Sequence, residues 1–335
     1  MKKIKYLFKR IKGMSFSNMF DTAKEVSKET GKNRFLVLFD IIHCGYKYMA
    51  GFVDYKVFKM YNLNEEQRAT YITRGVNNNY VKLLNDPEAM KKVDNKLEFN
   101  KNYNEFVKRD WICLTEVSFE EFETFFKKHK SIIVKPVDEM CGKGVDKITL
   151  DENTNIKQIY DDLLKNNQIL IEECVKQNSK IASLNPSSVN TLRVVTLKKE
   201  NEVKVLFTAL RIGNGKSVDN FNNGGMFTVV NENGVITKPA ISKDGTIYDV
   251  HPLTHEKIVG FKLPNFEIAL DTAKKCAAKI ENVRYIGFDV VITEDSALIL
   301  EANPFPGHDL YQSVAHLDKD MKGLKPKFDA EIFGK

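Results

Sequence analysis

The sequence predicts an α+β protein in which a helical region precedes two lobes. Apolar residues recur at helical spacing up to about residue 85, strands and helices alternate up to about residue 175, and short apolar strands dominate beyond residue 185. A chain of 335 residues is long enough for two or three coupled lobes. The predicted division is a helical region at 1–85, a first lobe at 86–175, a second lobe at 176–320 and a tail at 321–335.

The charge is concentrated at the start of the chain. Fifty-one Lys and Arg against 45 Asp and Glu give a net charge of +6, and the first twelve residues alone contain six cations and no acid. The rest of the chain is formally neutral, which argues against a nucleic-acid binder. No run approaches the roughly 18 apolar residues that a membrane-spanning helix needs.

The five cysteines are scattered singly, and no CxxC pair occurs. This pattern supports neither a disulfide framework nor a zinc knuckle. It favours a reducing cytoplasm as the compartment.

The first twelve residues have an amphipathic pattern. Apolar residues fall at i, i+3, i+4 and i+7 among lysines and an arginine, which predicts one apolar stripe on a helix at Ile4, Leu7, Phe8 and Ile11. The continuous apolar core of a secretory signal is missing. Two interpretations remain open: a first helix docked on the body, or a helix lying on an anionic membrane surface at the inner face.

The remaining elements follow from periodicity and from turn residues. The helical region contains three predicted helices at 32–45, 46–60 and 64–77, and Asn64 with Gln67 forms a predicted capping box. Beyond it, further helices are predicted at 156–166 and 266–280, and strands at 131–135, 146–150, 168–172, 191–198, 203–212, 226–230, 285–293 and 297–301.

The segment GFDVVITEDSALILEANPFPG predicts a β-hairpin with facing carboxylates. If residues 294–296 form its loop, Asp289 lies opposite Glu301, and Asn303 shares the face of Glu301. Carboxylates among apolar residues repel unless a cation separates them, and these oxygen donors suit Mg²⁺. We therefore expect a metal site. A solvated acidic edge or a dyad sharing a proton is the alternative, and a bulge would break the register.

The segment SIIVKPVDEMCGKGVDKITL places a glycine-containing loop after a strand that ends at Lys135. Glycines let backbone N–H groups approach an anion, and a lysine on a strand supplies a fixed charge for phosphate. The loop residues concerned are Gly142, Lys143 and Gly144. Neither the Walker A nor the GxGxxG pattern is present, so an ordinary hairpin is the alternative.

The strand QILIEECVKQ mixes acidic and apolar residues at its end. Glu172 and Glu173 are followed by Cys174 and Val175, and such a strand end could form an adenine-sized slot whose backbone groups read the base edge. By itself this signal is weak.

Two arginines lie in consecutive predicted strands. If Arg193 faces Ala209, then Arg193 and Arg211 point to the same face, where two guanidinium groups attract an anion. Two surface salt bridges are the alternative. The following loop, DNFNNGG, could wrap closely on a ligand through Asp219, Asn220, Gly224 and Gly225.

Two histidines lie near these motifs. His251 precedes Pro252 and His308 follows Gly307, so each could contact substrate, although a lone histidine is more often structural. No Ser-His-Asp or Cys-His arrangement has a spacing that indicates a nucleophile.

Several segments follow one another in a specific order: Asn95-Lys96, IIVKP with GKGV, ILIEECV, SVNTLRVVTL, ALRIG, VDNFNNGG, HPLTHEKIVG, RYIGFDVVI and LILEANPFPG. In this order and spacing they resemble the ATP-grasp superfamily, and more narrowly its sugar-transfer-associated branch, related to TupA-like proteins. The resemblance covers roughly residues 95–311. It implies an ATP-grasp fold, in which two α+β subdomains clamp ATP.

The resemblance also implies roles for individual residues. Lys96 and Lys135 would contact the ATP phosphates, beneath a lid at 141–145 that includes Val145. The backbone of residues 172–175 would hold adenine. Mg²⁺ would be held by Asp289, Glu301 and Asn303, while Arg193 and Arg211 would meet the γ-phosphate or a substrate carboxylate.

The implied activity is an ATP-dependent carboxylate–amine ligase that works through an acyl phosphate and uses ATP and Mg²⁺. The implied partners are a small-molecule or glycan carboxylate and an amine, with an amino acid joined to a uronic acid of a cell-surface polysaccharide as the expected case. The alternatives are a ligase making a soluble peptide or metabolite, and a non-catalytic ATP-binding accessory protein of polysaccharide biosynthesis.

Overall fold

The computed structural model describes residues 16–137, 144–215 and 224–334, and the chain divides into two compact units. One unit holds the residues up to Leu83 together with those from Gly307 onward, and the other is Leu84–Pro306. The first division falls close to the predicted boundary at 85. The second differs from the prediction, because residues 307–320 group with the helical unit rather than with the second lobe.

The first unit is helical. Its α-helices are Phe16–Thr30, Arg34–Lys47, Phe52–Val57, Glu65–Ala69, Arg74–Leu84, which ends at the unit boundary, and Lys325–Phe333. Short 3₁₀ helices lie at Met60–Asn62, His308–Leu310 and Val314–His316. The capping box of Asn64 and Gln67 is confirmed. None of the described helices is long and apolar enough to cross a membrane.

Two of the helices predicted in this unit are interrupted. The helix predicted at 46–60 breaks because Met49 adopts a left-handed backbone conformation with φ 55°. The next helix then begins after Gly51, whose N–H donates to the carboxylate of Asp54 over 2.9 Å. Asp54 also accepts from the backbone N–H of Arg74 at 3.0 Å, where the helix predicted at 64–77 restarts.

The segment from Gly307 onward is held to the helical unit by buried polar contacts. The Gln312 side chain accepts from the N–H of Ile72 at 3.1 Å and donates to the C=O of Ile72 at 2.8 Å. His308 Nε2 lies 2.8 Å from Asp54 Oδ1, and both side chains are buried. Residues 307–317 show no helical or strand periodicity, so this association could not be predicted from the sequence.

The larger unit contains two antiparallel sheets. The smaller sheet has the order β1-β4-β2-β3, with β1 at Trp111–Cys113, β2 at Ser131–Lys135, β3 at Asp146–Thr149 and β4 at Leu170–Glu173. The helices Phe119–His129 and Ile156–Lys165 enclose its core, which includes Phe122, Phe126, Ile132, Val134, Leu163 and Ile171. The short strand β1 was not predicted.

The second sheet has seven strands in the order β11-β10-β5-β6-β7-β8-β9. They are β5 at Leu192–Lys198, β6 at Val203–Ile212, β7 at Met226–Val229, β8 at Ala240–Ser242, β9 at Ile247–Tyr248, β10 at Tyr285–Ile292 and β11 at Ala297–Asn303. The helix Phe266–Lys279 packs on this sheet, and every residue of β10 is buried. Shorter helices of the unit are Pro87–Asp94, Lys96–Asn102, Asn104–Val107 and Ser179–Ala182.

Candidate functional site

The hairpin of β10 and β11 brings Asp289 and Glu301 opposite each other, which confirms the predicted pairing. The register shifts directly beyond this pair, because Val290 pairs with Ile299 and leaves Leu300 as an extra residue in β11. Such a bulge bends the strand and increases its local twist. The acidic pair therefore lies next to an irregularity in an otherwise regular ladder.

The turn of this hairpin is one residue shorter than predicted. Thr293 N–H donates to Ser296 O over 2.9 Å, so the loop consists of residues 294–295 rather than 294–296. The residue missing from the loop reappears as the bulge. The shorter loop shifts the pairing by one residue, and the bulge at Leu300 shifts it back. Asp289 therefore pairs with Glu301 as predicted, although the predicted loop is wrong.

Asp289 forms a buried cluster with two arginines. Its carboxylate accepts from Arg193 Nε at 2.6 Å, from Arg193 Nη2 at 3.2 Å and from Arg211 Nη1 at 2.9 Å. Arg193 pairs with Ala209 across β5 and β6, as predicted, and so both guanidinium groups reach one face of the sheet. Burial alone would raise the pKa of Asp289, but the two guanidinium groups outweigh it and lower the pKa.

The two arginines thus bind an anionic group, as predicted, but this group is the carboxylate of Asp289 and not a ligand. All three side chains are largely buried, so the surface salt bridges considered from the sequence are not what forms. Whether Arg193 and Arg211 also contact a phosphate or a substrate carboxylate stays a prediction.

Glu301 faces a lysine from another element. Lys96 is the first residue of the helix Lys96–Asn102, which Asn95 caps through its side chain, and its Nζ lies 3.6 Å from Glu301 Oε1. Glu301 is half-buried, with 36% of its side chain exposed, whereas Asp289 is almost fully buried. Of the two facing carboxylates, Glu301 is therefore the one that a ligand could reach.

Asn303 lies on the same face of β11 as Glu301, two residues further along the strand. Its side-chain Nδ2 is buried and has no hydrogen-bond partner among the described residues. The two ends of an amide have nearly the same shape, so rotating it would place an oxygen acceptor at this position. Together with Glu301 and Asp289, this gives a set of oxygen donors that suits Mg²⁺.

A second buried cluster surrounds Glu172 on β4. Its carboxylate lies 2.8 Å from Lys135 Nζ, accepts from Arg109 Nη2 at 2.8 Å and accepts from Asn100 Nδ2 at 2.9 Å. All four side chains are buried. Burial would raise the pKa of Glu172, but Arg109 and Lys135 lower it to about 2. Burial also lowers the pKa of Lys135, while the charge of Glu172 opposes that change.

Arg109 connects this cluster to the bulge of the other sheet. Its Nη1 donates to the C=O of Ile299 over 2.7 Å, and its Nη2 donates to the C=O of Leu300 over 3.1 Å. One guanidinium group therefore joins the carboxylate of Glu172 to the residue before Glu301. This role of Arg109 could not be predicted from the sequence, because its partners lie far from it along the chain.

The two clusters share an electrostatic environment. The charge of Glu301 acts on Lys135 and raises its pKa, against the larger effect of burial. A small cavity of about 10 Å³, enough for about one water molecule, lies between the helix of Lys96 and β11 and is lined in part by Asn100 and Glu301. The predicted phosphate lysines and the predicted metal ligands thus lie in one region of the larger unit.

The predicted adenine hinge lies at the end of β4. Glu172 and Glu173 belong to the sheet, and Glu173 N–H donates to Asp110 O over 3.0 Å. The Glu173 carboxylate lies 3.4 Å from the ring of His129. Cys174 is half-buried, which raises the pKa of its thiol. Val175 follows directly, and adenine binding by this backbone stays a prediction.

The predicted phosphate loop is described only in part. Gly142 and Lys143 lie outside the described residues. Gly144 has φ 69°, and a Cβ there would lie 3.1 Å from the Pro136 ring, so this position requires glycine. Gln168 Nε2 donates to the Gly144 C=O over 2.9 Å, and Val145 leads into β3.

The second predicted loop is also described in part. Asp219 and Asn220 lie outside the described residues, whereas Gly224 and Gly225 precede β7 and Gly224 has φ 94°. A substrate contact of this loop stays a prediction.

Both predicted histidines are buried. His251 is fully buried, its Nε2 lies 2.9 Å from the C=O of Gly213, and its Nδ1 accepts from the N–H groups of Leu253 and Thr254. Both ring nitrogens are used within the protein. His308 belongs to the helical unit, where it pairs with Asp54. His308 Nδ1 is buried and has no hydrogen-bond partner among the described residues, and a substrate contact of either histidine stays a prediction.

The family model for sugar-transfer associated ATP-grasp proteins matches residues 75–317. The chain belongs to the sugar-transfer associated ATP-grasp family. This confirms the resemblance found in the sequence and gives the two-sheet unit its class, an ATP-grasp fold preceded by a helical region. No curated protein matches the sequence.

Solved structures give weaker matches. D-alanyl-alanine synthetase A from Vibrio cholerae O1 biovar eltor has 14% identity and a TM-score of 0.41, over 67% of this chain and 59% of that chain. D-alanine–D-alanine ligase from Bacillus anthracis has 14% identity and a TM-score of 0.41, over 76% and 69%. The ATP-grasp ligase PsnB, complexed with a phosphomimetic precursor variant, Mg and ADP, has 13% identity and a TM-score of 0.43, over 77% and 65%. The chain thus spans 59% of the length of the first of these proteins.

Proposed function

We propose that the protein is an ATP- and Mg²⁺-dependent carboxylate–amine ligase. One observation carries this proposal: Lys96 Nζ lies 3.6 Å from Glu301 Oε1, and Arg109 links the Lys135–Glu172 pair to the C=O of Leu300, the residue before Glu301. Two cations suited to phosphate therefore lie beside oxygen donors suited to Mg²⁺. Membership of an ATP-grasp family supports the same reading.

The chain supplies charge neutralisation rather than a nucleophile. In the proposed reaction the γ-phosphoryl group of ATP moves to a substrate carboxylate, giving an acyl phosphate and ADP. An amine then attacks the acyl carbon, the amide forms and phosphate leaves. Lys96 and Lys135 hold phosphate oxygens, which offsets the negative charge that an attacking carboxylate must approach.

The positive charge of a bound Mg²⁺ would offset the negative charge of the phosphate oxygens. Glu301 and Asn303 are its proposed ligands from β11, and Asp289 is the third. Both oxygens of Asp289 already accept hydrogen bonds from arginines. Asp289 would therefore bind the metal ion only after Arg193 or Arg211 moves away from it. The accessible ligand of the set is Glu301.

Binding of a phosphate requires Lys96 to exchange partners. In the described arrangement it faces Glu301, and the cavity beside this pair holds about one water molecule. A phosphate entering here replaces a lysine–carboxylate contact with a lysine–phosphate contact and leaves Glu301 for the metal. The ion pair thus keeps both groups in place before nucleotide arrives.

The proposed substrates are an amino acid as the amine and a uronic acid, or a similar group of a cell-surface polysaccharide, as the carboxylate. The sugar-transfer association in the family description supports a glycan substrate. A soluble peptide or metabolite ligase uses the same chemistry, and only the substrate distinguishes the two.

The test is a phosphate-release screen with ATP and Mg²⁺, over amino acids combined with nucleotide-linked uronic acids. We expect ADP and phosphate release that requires both an amine and a carboxylate, and a product whose mass is that of both substrates less one water. Glu301→Gln is the matched inactive variant. Tight ATP binding without ADP release from any pair would contradict the proposal and favour an accessory protein.

A further inference from the structure

The helix Arg34–Lys47 is apolar on two opposite sides. One side packs into the core of the helical unit through Val37, Ile41 and Cys44. The other side is exposed and carries five large side chains, each with 50 to 69% of its surface accessible: Phe35, Leu36, Phe39, Ile42 and Tyr46. A surface helix normally shows polar residues opposite its buried face. Its exposed side is therefore suited to contact with something apolar.

The exposed residues form a continuous stripe. Phe35, Phe39, Ile42 and Tyr46 follow the spacing i, i+4, i+7 and i+11, which places them along one side of the helix. The single acid of this helix, Asp40, is turned away and accepts from Tyr55 and Arg68. We call the five exposed residues, Phe35, Leu36, Phe39, Ile42 and Tyr46, the apolar stripe.

The neighbouring helices add to this surface chemistry. Phe16 and Phe20 on the first described helix are about half exposed, as are Val53 and Val57 on the helix that follows the stripe. Nine of the sixteen large apolar side chains found exposed among the described residues thus lie between residues 16 and 57. Isolated exposed apolar residues need no explanation, but such a concentration marks an interaction surface.

The charge of the adjoining sequence indicates the partner. Residues 1–12 contain six cations and no acid, and only residues 13–15 separate them from Phe16. The helix that starts at Phe16 packs against the helix of the apolar stripe. The partner must therefore accept aromatic and aliphatic side chains and also attract a strongly cationic segment. These two requirements call for an apolar interior with anionic groups at its surface. A bilayer containing anionic lipids has both properties.

A second copy of the chain fits these observations less well. In a two-fold dimer the same surface of both copies meets, so a second copy offers no anionic counterpart to the cations of residues 1–12. We therefore propose that the apolar stripe is a membrane-docking face, which enters the headgroup layer of a bilayer whose anionic lipids complement that positive charge. This surface is independent of the ligase chemistry.

The first experiment is co-sedimentation of the full chain with vesicles of phosphatidylcholine alone or with added phosphatidylglycerol. We expect binding only to the anionic vesicles. The double substitution Phe39→Ser and Ile42→Ser should lower the partition coefficient roughly ten-fold or more. The matched control is Ile247→Ser with Leu253→Ser, which removes two equally exposed apolar residues from the larger unit and should leave binding unchanged.

The second experiment reports insertion directly. Phe39→Trp adds a second tryptophan to the native Trp111, and its emission should shift to the blue and be quenched by lipids brominated on their acyl chains. The parent chain with Trp111 alone should show neither change. Because the substitutions are at exposed positions, unchanged thermal unfolding of each variant verifies the fold.

Three outcomes would overturn the proposal. These are equal binding of the Phe39→Ser, Ile42→Ser variant and the parent chain, binding without quenching at position 39, and concentration-dependent dimerisation that the double substitution abolishes. The last result, measured by sedimentation velocity without lipid, would assign the stripe to an interface between copies of the chain.

Discussion

Arg109 Nη2 donates to the carboxylate of Glu172 over 2.8 Å and to the C=O of Leu300 over 3.1 Å, and its Nη1 donates to the C=O of Ile299 in the other sheet over 2.7 Å. This one side chain therefore links the buried charge cluster around Lys135 to the strand that carries Glu301. It was not among the residues singled out from the sequence, and the stability of the site depends on it.

Arg109→Ala should destabilise the fold by about 3 kcal/mol or more, because it leaves Glu172 buried with one cation fewer and two carbonyls without donors. Urea denaturation followed by circular dichroism measures the loss. The matched control is Lys128→Ala, which breaks an exposed ion pair with Asp110 and should cost less than about 1 kcal/mol. Equal effects of the two substitutions would show that the buried cluster is not important for stability.

Glu301→Gln should abolish ADP formation and leave the free energy of unfolding nearly unchanged. Glutamine keeps the shape of the side chain but removes the charge that a metal ion needs. The control is Asp295→Asn in the exposed turn of the same hairpin, which should retain full turnover. Undiminished ADP release by Glu301→Gln would exclude Glu301 from the site.

Lys135→Ala should lower turnover roughly 100-fold, through the loss of one cation at the transferred phosphate. It should also destabilise the protein, because Glu172 then has only Arg109 as a cationic partner. The matched control is Lys165→Ala, an exposed lysine at the end of the helix Ile156–Lys165, whose removal should change neither quantity. Unchanged kinetics of Lys135→Ala would remove this strand from the nucleotide site.

Acid should destabilise the protein in part through Glu172. Its pKa is lowered from the ordinary value of 4.5 to about 2, so its stabilising contribution is complete above 4.5 and is lost as the pH falls towards 2. Asp289, whose pKa is also lowered, adds a loss of the same sign.

The measurement is the free energy of unfolding at several pH values between about 7 and about 3, for the parent chain and for Glu172→Gln. The difference between the two should shrink as the pH falls. Parallel curves would show that the pKa of Glu172 in the folded protein is not lowered from its ordinary value.

The sequence predicts eight of the eleven described strands, because their apolar runs are local signals, whereas the short strands β1, β8 and β9 were not predicted. Alternating or continuous apolar runs gave Ser131–Lys135 and Val203–Ile212 with correct bounds, and the pairing of Asp289 with Glu301 was also right. The bulge at Leu300 could not be seen, since its carbonyl is bound by Arg109, a residue about 190 positions earlier.

Most of what sequence reasoning missed depends on contacts between distant parts of the chain. Pairing of Arg193 and Arg211 with Asp289 required the order of β10, β5 and β6, which no local pattern gives. The break after Lys47 depends on Asp54, whose carboxylate binds backbone groups before and after it. The exposed apolar side of the helix Arg34–Lys47 could not be predicted, because apolar spacing alone does not distinguish a buried side from an accessible one.

The hydrogen bonds between Gln312 and Ile72 join residues 240 positions apart. During synthesis on a ribosome, the helical unit cannot be completed until the residues from Gly307 onward have emerged, whereas Leu84–Pro306 forms a continuous stretch that can fold earlier. Until then, the apolar sides of the first helices that contact the residues from Gly307 onward stay exposed to solvent. We expect this stage to be the one at which chaperones, or an early encounter with lipid, influence the yield of folded protein.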